Sequence, residues 1–289
     1  MRKKNKWISI FLLPGVSIFI FVFMLSILML VGTSFANWTI GSKITFAGFS
    51  NYSTLFTEDP AFIKSMMNTG IWIALQATIH IAIGVLLALL LAKQKWYTSF
   101  VRTAFFIPNI ISSAALGMLF LSILNPQFGL VNNVMTKLLG EPFVQNWFMD
   151  PKTSFFSVTM TWLPYAGLVT ILVMAEMASI PKEVYEAASI DGATSMQTDL
   201  FVVLPMMKNI IGTATILAAT SMLQKLDIIM MTTGGGPGVR TMNMPMYLYR
   251  TALTDNNYGL ANAQGVILIF LGLLTLITIR KIFKMDQED

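Results

Sequence analysis

The chain has 289 residues, of which 55% are hydrophobic and only 11% are charged, and its mean hydropathy is +0.68. A water-soluble protein of this length needs more charge to cover its surface, so the composition excludes an ordinary soluble enzyme or binding domain. The net charge of +5 comes without a basic stripe or a nucleic-acid reader motif, and the absence of cysteine excludes disulfides and cysteine-based metal or thiol sites.

The apolar residues are grouped in six long blocks. Each block approaches or exceeds the ~20 residues that a helix needs to cross ~30 Å of hydrocarbon, and none has the alternating pattern of a barrel strand. The blocks cover residues 8–31, 66–91, 104–124, 153–178, 209–231 and 261–280. The sequence therefore predicts an all-α integral membrane protein with six transmembrane helices, forming a single transmembrane domain over residues 1–289.

The basic residues between the predicted spans are unevenly distributed. One set, formed by the two termini and alternate loops, contains Arg2, Lys3, Lys4, Lys6, Lys93, Lys95, Arg102, Lys182, Lys208, Arg280, Lys281 and Lys284. The other set contains only Lys43, Lys64, Lys137, Lys152, Arg240 and Arg250. Because basic residues concentrate on the cytoplasmic side, this bias predicts that both termini are cytoplasmic.

One polar segment, residues 179–208, separates the fourth and fifth apolar blocks and cannot lie in hydrocarbon. Its first part is predicted to be a short helix capped by Ser179, with Pro181 in the first turn and small side chains at Ala187 and Ala188. The backbone of a partner could approach these small side chains closely. An ordinary loop between two spans is the alternative interpretation.

The second part of this segment carries turn and capping signals. Gly192 permits a backbone reversal, and Thr194 with Gln197 is a capping-box pattern that predicts a second short helix. Leu204-Pro205 is expected at the bend into the fifth span. The sequence thus predicts two short helices at an angle, presented on the cytoplasmic face as a docking surface.

The order Glu186-Ala187-Ala188, three residues, Gly192, nine residues and Val202-Val203-Leu204-Pro205 resembles the signature loop of binding-protein-dependent ATP-binding-cassette importers. Other segments resemble the first permease subunit of maltose, glycerol-phosphate and multiple-sugar importers. They are Asn68-Thr69, residues 102–108, residues 125–130, Asp227 with residues 233–237, and residues 258–261. Asp199 departs from the family pattern, which often has an aromatic residue there.

The resemblance implies a type I importer permease in the bacterial cytoplasmic (inner) membrane. Its loop would couple the chain to an ATPase through Glu186, Ala187, Ala188, Asp191, Gly192 and Ala193. The implied partners are a second homologous permease, two cytoplasmic ATP-binding-cassette ATPase subunits and an extracytoplasmic sugar-binding protein or lipoprotein. ATP and Mg would be used by the ATPase subunits, so this chain is expected to bind no cofactor and to have no catalytic site.

The resemblance also indicates where substrate would pass, and the family branch implies an oligosaccharide or a glycerol-phosphate-like polyol. Polar residues inside spans usually face a bundle interior or a wet cavity, and aromatic faces suit sugar rings. The candidate substrate-pathway residues are Pro108, Asn109, Trp162, Tyr165, Ser221, Gln224 and Lys225. Each has helix packing as its alternative role.

Two further polar residues in the spans are expected to be structural. His80 is the only histidine and follows Gln76 by four residues on the same helix face. It has no Cys, Asp or Glu nearby, so no metal site is predicted and a hydrogen bond between helices is expected. Asp227 is expected to stabilise the contact with the partner permease, together with Lys225, rather than to bind substrate.

Two other functions remain open from the residues alone. An ion-coupled secondary transporter or channel subunit is the alternative, although no inverted halves are visible. A membrane-embedded enzyme is the third possibility, but the chain has no nucleophile elbow. The glycine-rich run at 234–238 lacks the Gly-Lys-Ser/Thr ending of a phosphate loop, so no nucleotide site is predicted.

Overall fold

The computed structural model describes residues 2–93, 96 and 98–285. Lys95, one of the basic residues counted above, lies outside the described residues. The described chain is mostly helical, and it includes a short antiparallel hairpin formed by β1 (Ala36–Asn37) and β2 (Thr45–Phe46). The predicted all-α class therefore holds apart from this hairpin.

The helices of the described chain are interrupted at many points. The first α-helical segments are α1 (Arg2–Phe19), α2 (Leu25–Ser34), α3 (Ser50–Ser53), α4 (Pro60–Leu75), α5 (Ile81–Ala92), α6 (Thr98–Ile110), α7 (Ser113–Ile123) and α8 (Leu130–Leu139). They are followed by α9 (Ser154–Met160), α10 (Ala166–Met177), α11 (Lys182–Ile190), α12 (Ser195–Thr198), α13 (Leu204–Met206), α14 (Lys208–Ser221), α15 (Asp227–Thr232), α16 (Met244–Leu253) and α17 (Tyr258–Phe283). Several are joined through π-helical turns at Ile20–Met24, Thr54–Glu58, Gln76–His80 and Asp199–Val203, or through the 3-10 turn Leu163–Tyr165.

Four helices are long and apolar enough to cross a membrane. They are Phe11–Ser34, Pro60–Ala92, Ser154–Met177 and Tyr258–Phe283. Each coincides with a predicted span, so the first, second, fourth and sixth predictions are confirmed at this level. Counting each of two bent helix pairs as one span raises the number to six.

The third predicted span, residues 104–124, is not one uninterrupted helix. Helices α6 and α7 bend by 119° at their junction. Ser112 is extended there (φ −61°, ψ 143°), and its Oγ accepts a hydrogen bond from the Ala115 N–H at 3.3 Å. A cap of this kind starts a new helix instead of continuing the old one. Apolar composition does not reveal such a break, and residues 104–124 belong to one span only if this bent pair is counted as one.

The fifth predicted span, residues 209–231, is also broken. Helix α14 ends at Ser221 and α15 begins only at Asp227. The Asp227 carboxylate accepts hydrogen bonds from the Ile228 N–H, at 3.0 Å, and from the Ser113 hydroxyl. A polar start of this kind marks a new helix, so residues 209–231 contain two α-helices and not one.

The chain divides into two compact units. The first comprises Met1–Ile63 with Tyr247–Phe270, and the second comprises Lys64–Met246 with Leu271–Asp289. Within the first unit, the buried Asn51 side chain donates to the carbonyl oxygens of Ser34 and Ala36 at 2.9 and 3.0 Å. These bonds hold the start of the hairpin against the end of α2.

The second unit contains a close helix contact that bears on function. Helices α5 and α10 approach so closely at Gly84 that an added Cβ would lie 2.5 Å from the Val169 Cβ. Thr170 donates its hydroxyl to the Gly84 carbonyl at 3.1 Å across the same crossing. Small residues let helix backbones approach in membranes and hydroxyls bond across them. This crossing forms one wall of the cavity described next.

Candidate functional site

A cavity of about 120 Å³ lies within the second unit. It is lined by Gln76, His80, Asn109, Trp162, Tyr165, Leu168, Val169, Leu172, Ala214, Leu217, Ala218, Ser221, Met222 and Lys225. Five predicted substrate-pathway residues, Asn109, Trp162, Tyr165, Ser221 and Lys225, therefore line one cavity. Pro108 and Gln224 do not line it.

Two aromatic residues of the cavity wall carry unpaired polar atoms. His80 Nδ1 and Trp162 Nε1 are buried and have no hydrogen-bond partner among the described residues. The His80 imidazole lies against the backbone of Tyr165, which belongs to a different helix. The Trp162 ring packs edge-on against Trp72, with centroids 4.6 Å apart. Buried polar groups normally have partners, so these two atoms are available to a ligand or to water.

Lys225 is held over the ring of Tyr165, with its Nζ 4.2 Å from the ring centroid. This is the geometry of a cation–π interaction. The Lys225 carbonyl accepts a hydrogen bond from the buried Asn243 amide at 2.5 Å, which anchors the non-helical stretch after α14. The ring of Tyr165 comes from the 3-10 turn at Pro164, so the irregularity expected there is present.

The Lys225–Asp227 pair considered from the sequence does not form. Asp227 bonds instead to the Ser113 hydroxyl and the Ile228 N–H, as described above. Gln224 lies in a second, more open space of about 290 Å³, lined by Ser113, Ser221, Gln224, Lys225, Leu226 and Asp227. Since Ser221 and Lys225 line both spaces, the two spaces adjoin along the break between α14 and α15.

Two separate motif segments meet in the structure. The Asn68 amide donates to the carbonyl oxygens of Arg240 and Met242 at 3.0 and 2.8 Å, and the Thr69 hydroxyl accepts the Met244 N–H at 2.9 Å. Both side chains are fully buried. Asn68-Thr69 therefore fixes the loop that follows the glycine-rich run, and this run is held as a structural turn.

The polar segment 179–208 forms short helices, but its first helix does not start as predicted. Helix α11 begins at Lys182 with Pro181 at its N-cap position. The Ser179 hydroxyl donates backward to the Glu176 carbonyl at 2.7 Å. Ser179 thus closes the end of α10, and its predicted role as the cap of α11 was wrong. Pro181 follows too closely for the serine side chain to face the α11 amides.

The other local predictions for this segment are confirmed. Gly192 has a positive φ of 78°, which an L side chain rarely adopts. Thr194 Oγ1 accepts from the Gln197 N–H at 3.3 Å, and Gln197 Oε1 accepts from the Thr194 N–H at 2.8 Å, which is a complete capping box. The bend into α14 follows Leu204-Pro205 and measures 72°. We call residues 179–208 the coupling segment.

Most of the predicted coupling residues are exposed. Glu186, Ala187, Asp191 and Gly192 are exposed, Ala193 is half-buried and Ala188 is buried. Beside them, Ile190, Met196 and Phe201 expose 86%, 68% and 75% of their surfaces. Neighbouring apolar side chains that stay this exposed are typical of an interaction surface.

Asp199, the residue that departs from the family pattern, forms an ion pair. Its Oδ2 lies 3.3 Å from the Nζ of Lys93, which closes the C-terminus of α5. The pair borders a recess of about 450 Å³ whose wall includes Tyr185. Burial, followed by the charge of Asp199, raises the pKa of the Tyr185 phenol.

Sequence reasoning missed several residues of the cavity. Ala214, Leu217 and Ala218 lie on one stripe of α14 with the predicted Ser221, and their spacing of three and four residues was a readable signal. Outside the cavity, the roles of Ser113 and Lys93 were missed because their partners lie more than a hundred residues away in the chain. No local sequence pattern predicts contacts between residues so far apart in the chain.

The chain matches known proteins over its whole length. The family described as "Binding-protein-dependent transport system inner membrane component" matches residues 80–284. The probable ABC transporter permease protein YurN of Bacillus subtilis (strain 168) is 30% identical over 296 residues, covering 100% of both chains. The multiple sugar-binding transport system permease protein MsmF of Streptococcus mutans is 31% identical and covers 86% of this chain and 85% of its own.

A solved structure has the same fold. It is the crystal structure of a bacterial ABC transporter involved in the import of the acidic polysaccharide alginate. One of its chains superposes with a TM-score of 0.83 at 23% identity, covering 99% of this chain and 98% of that one. The fold is therefore that of an ABC importer permease. Together with the family match, this means that the chain belongs to the binding-protein-dependent transport system inner membrane components.

Proposed function

We propose that this chain is a transmembrane permease subunit of an ATP-driven, binding-protein-dependent importer of carbohydrates. The observation that carries the proposal is the cavity wall, where unpaired His80 Nδ1 and Trp162 Nε1 lie near the ring of Tyr165. A sugar offers hydroxyl groups to polar atoms and an apolar face to aromatic rings. The name of the relative MsmF supports the same substrate class.

The proposed assembly includes subunits that would supply the energy for transport. A permease of this family needs an energy source, and the coupling segment presents the exposed surface through which it would be received. We assign that contact to Glu186, Ala187, Ala188, Asp191, Gly192 and Ala193. The partners are two cytoplasmic ATPase subunits, which use ATP and Mg, a second homologous permease that forms the other half of the pore, and an extracytoplasmic sugar-binding protein or lipoprotein.

The proposed topology has six spans and both termini in the cytoplasm of a bacterium, with the chain in the inner membrane. The excess of basic residues on one set of loops supports this orientation. It places the coupling segment on the ATPase side. In this arrangement the bent pair α6–α7 counts as one span, and the fifth span begins with α14, after the coupling segment.

The cavity would act in transport as a site of alternating access. ATP-driven movement of the ATPases displaces the coupling segment, and the permease pair shifts between inward- and outward-facing states. Asn109, Ser221, Lys225 and the aromatic wall contact the sugar, and Gln224 and Pro108 lie farther along its path. The chain itself carries out no covalent chemistry.

Uptake by the whole complex tests the proposal. The complex is purified from its own membranes with a mild detergent, reconstituted in vesicles, and supplied with its binding protein and ATP. Uptake is measured for radiolabelled glucose, galactose and arabinose and their di- and trisaccharides. We expect uptake of at least one of these sugars that stops without ATP. ATP-independent uptake driven by an ion gradient would overturn the proposal and favour a secondary transporter.

A further inference from the structure

The ion pair between Lys93 and Asp199 joins two parts of the second unit that are far apart in sequence. Lys93 is 41% exposed and Asp199 only 15%, so the carboxylate is the better-shielded partner. Lys93 occupies the C-cap of α5, where a cation is also favoured by the helix dipole.

Asp199 lies in the second half of the coupling segment, immediately after α12. It begins the π-helical turn Asp199–Val203, directly after the capping box that starts α12. The phenol of Tyr185, on α11, is close enough for the charge of Asp199 to act on it. The carboxylate is therefore placed between both short helices of the coupling segment and the end of α5.

Lys93, the other residue of the ion pair, directly follows the helical span that reaches the cavity. Residues Pro60–Ala92 form one continuous helical span, which carries Gln76 and His80 to the cavity wall. At 1.5 Å per residue, the thirteen residues from His80 to Lys93 cover about 20 Å. A displacement of the coupling segment that is transmitted to Lys93 would therefore act on the helix that holds His80.

We propose that Lys93 and Asp199 form an electrostatic tie that makes the coupling segment and α5 move together, so that ATPase movement reaches the cavity through this pair. The inference rests on the proposed function and adds positioning residues to it. The pair acts through geometry, because a partly exposed ion pair contributes little to stability.

Charge reversal tests the tie in the reconstituted complex. The variants are Lys93→Glu, Asp199→Lys and the swapped double Lys93→Glu/Asp199→Lys, with the exposed Glu141→Lys as a matched reversal elsewhere. The readout is sugar transported per ATP hydrolysed, for the panel sugar that the unaltered complex takes up best. We expect each single reversal to lower this ratio about fivefold, and the double to return within about twofold, as an interaction of ~1 kcal/mol implies.

Replacing the ion pair with a covalent crosslink tests whether positions 93 and 199 must stay together or must separate during transport. The chain has no cysteine, so Lys93→Cys/Asp199→Cys is a clean pair for a short bis-maleimide reagent. We expect the uncrosslinked double variant to transport poorly and crosslinking to restore transport. Transport that is normal before crosslinking and lost after it would overturn the tie.

The failure of this inference can be told from failure of the proposed function. If the unaltered complex takes up no sugar with ATP, the proposed function fails. If the unaltered complex transports, but the single reversals equal it or the swapped double stays as low as the singles, the tie alone is wrong. Amide hydrogen exchange over residues 195–203 in the isolated chain adds a sugar-independent readout, in which faster exchange is expected for each single reversal only.

Discussion

The coupling segment and the cavity are built in opposite ways. Much of the coupling segment is exposed, and its hydrogen bonds join residues three to five positions apart, as between Thr194 and Gln197. The cavity lies between helices, and its wall brings together Gln76, Asn109, Trp162 and Lys225 from four separate parts of the chain. The hydrogen bonds of the coupling segment are therefore local, and its surface is accessible to a partner. The cavity exists only when the helices of the second unit are packed together.

This difference has a functional consequence. A substitution in the coupling segment should change how ATP hydrolysis is linked to transport and leave the fold intact. A substitution in the cavity wall should change either affinity for the sugar or the stability of the second unit. The following experiments test that division, starting with the largest expected effect.

Gly192→Pro should break coupling. Proline fixes φ near −65°, whereas Gly192 has a φ of +78°, so the reversal between α11 and α12 cannot form. We expect ATP-dependent uptake to fall about 20-fold or more, with normal insertion in the membrane. Gly140→Pro is the matched control, because Gly140 has a φ of +75° outside the coupling segment. Equal losses in both variants, or full uptake with Gly192→Pro, would remove the coupling role.

Gly84→Ala should destabilise the second unit. The new methyl group would lie 2.5 Å from the Val169 Cβ, so α5 and α10 would have to separate. Overpacking of this kind costs about 1–3 kcal/mol. Gly70→Ala is the control, since an added Cβ there meets nothing within 4 Å. Thermal unfolding of the detergent-solubilised protein should show a lower Tm for Gly84→Ala alone, and equal Tm values would contradict the assigned crossing.

Lys225→Met should weaken sugar transport without weakening the fold. The methionine keeps the apolar stem but removes the cation over Tyr165, which makes no ion pair among the described residues. A hydrogen bond from a charged donor is worth ~1.5–3 kcal/mol, so the KM for sugar should rise about tenfold or more. Lys208→Met, at the start of α14, should leave KM unchanged. An unaltered KM with Lys225→Met would make this lysine structural.

Thr194→Ala should have the smallest effect. It removes the hydroxyl that caps α12 and leaves the partner Gln197 in place. Loss of a cap costs about 1 kcal/mol, which should be felt as faster amide exchange over α12 and as a two- to threefold loss of uptake. Thr213→Ala removes a hydroxyl that only bonds back to the Asn209 carbonyl, and it should change neither quantity. Similar exchange in both variants would show that the capping box does not order the segment.

The local features were readable from the sequence because their causes are local. Four of the six spans, the reversal at Gly192 and the capping box at Thr194 depend on hydropathy, backbone freedom and neighbouring side chains. The cap assigned to Ser179 was wrong for a related reason. The Ser179 hydroxyl could either cap α11 or bond back to the end of α10. In the packed structure it donates to the Glu176 carbonyl.

The breaks at Ser112 and before Asp227 could not be read from composition. The first interrupts a block that is mostly apolar, and the second is stabilised by Ser113, more than a hundred residues away in the chain. The cavity was only partly predictable. Polar and aromatic residues in spans are conspicuous, but Gln224 has that character and, like the predicted Pro108, does not line the main cavity.

The sequence by itself determined that this chain is an apolar, helical membrane protein with one exposed coupling segment, because hydropathy and turn chemistry act over a few residues. The tertiary structure decided which polar residues meet. His80 and Trp162 line the same cavity, Asp227 is hydrogen-bonded to Ser113, and Asp199 forms an ion pair with Lys93. Those pairings depend on how closely helices cross, as at Gly84, and such distances are set only when the whole unit is packed.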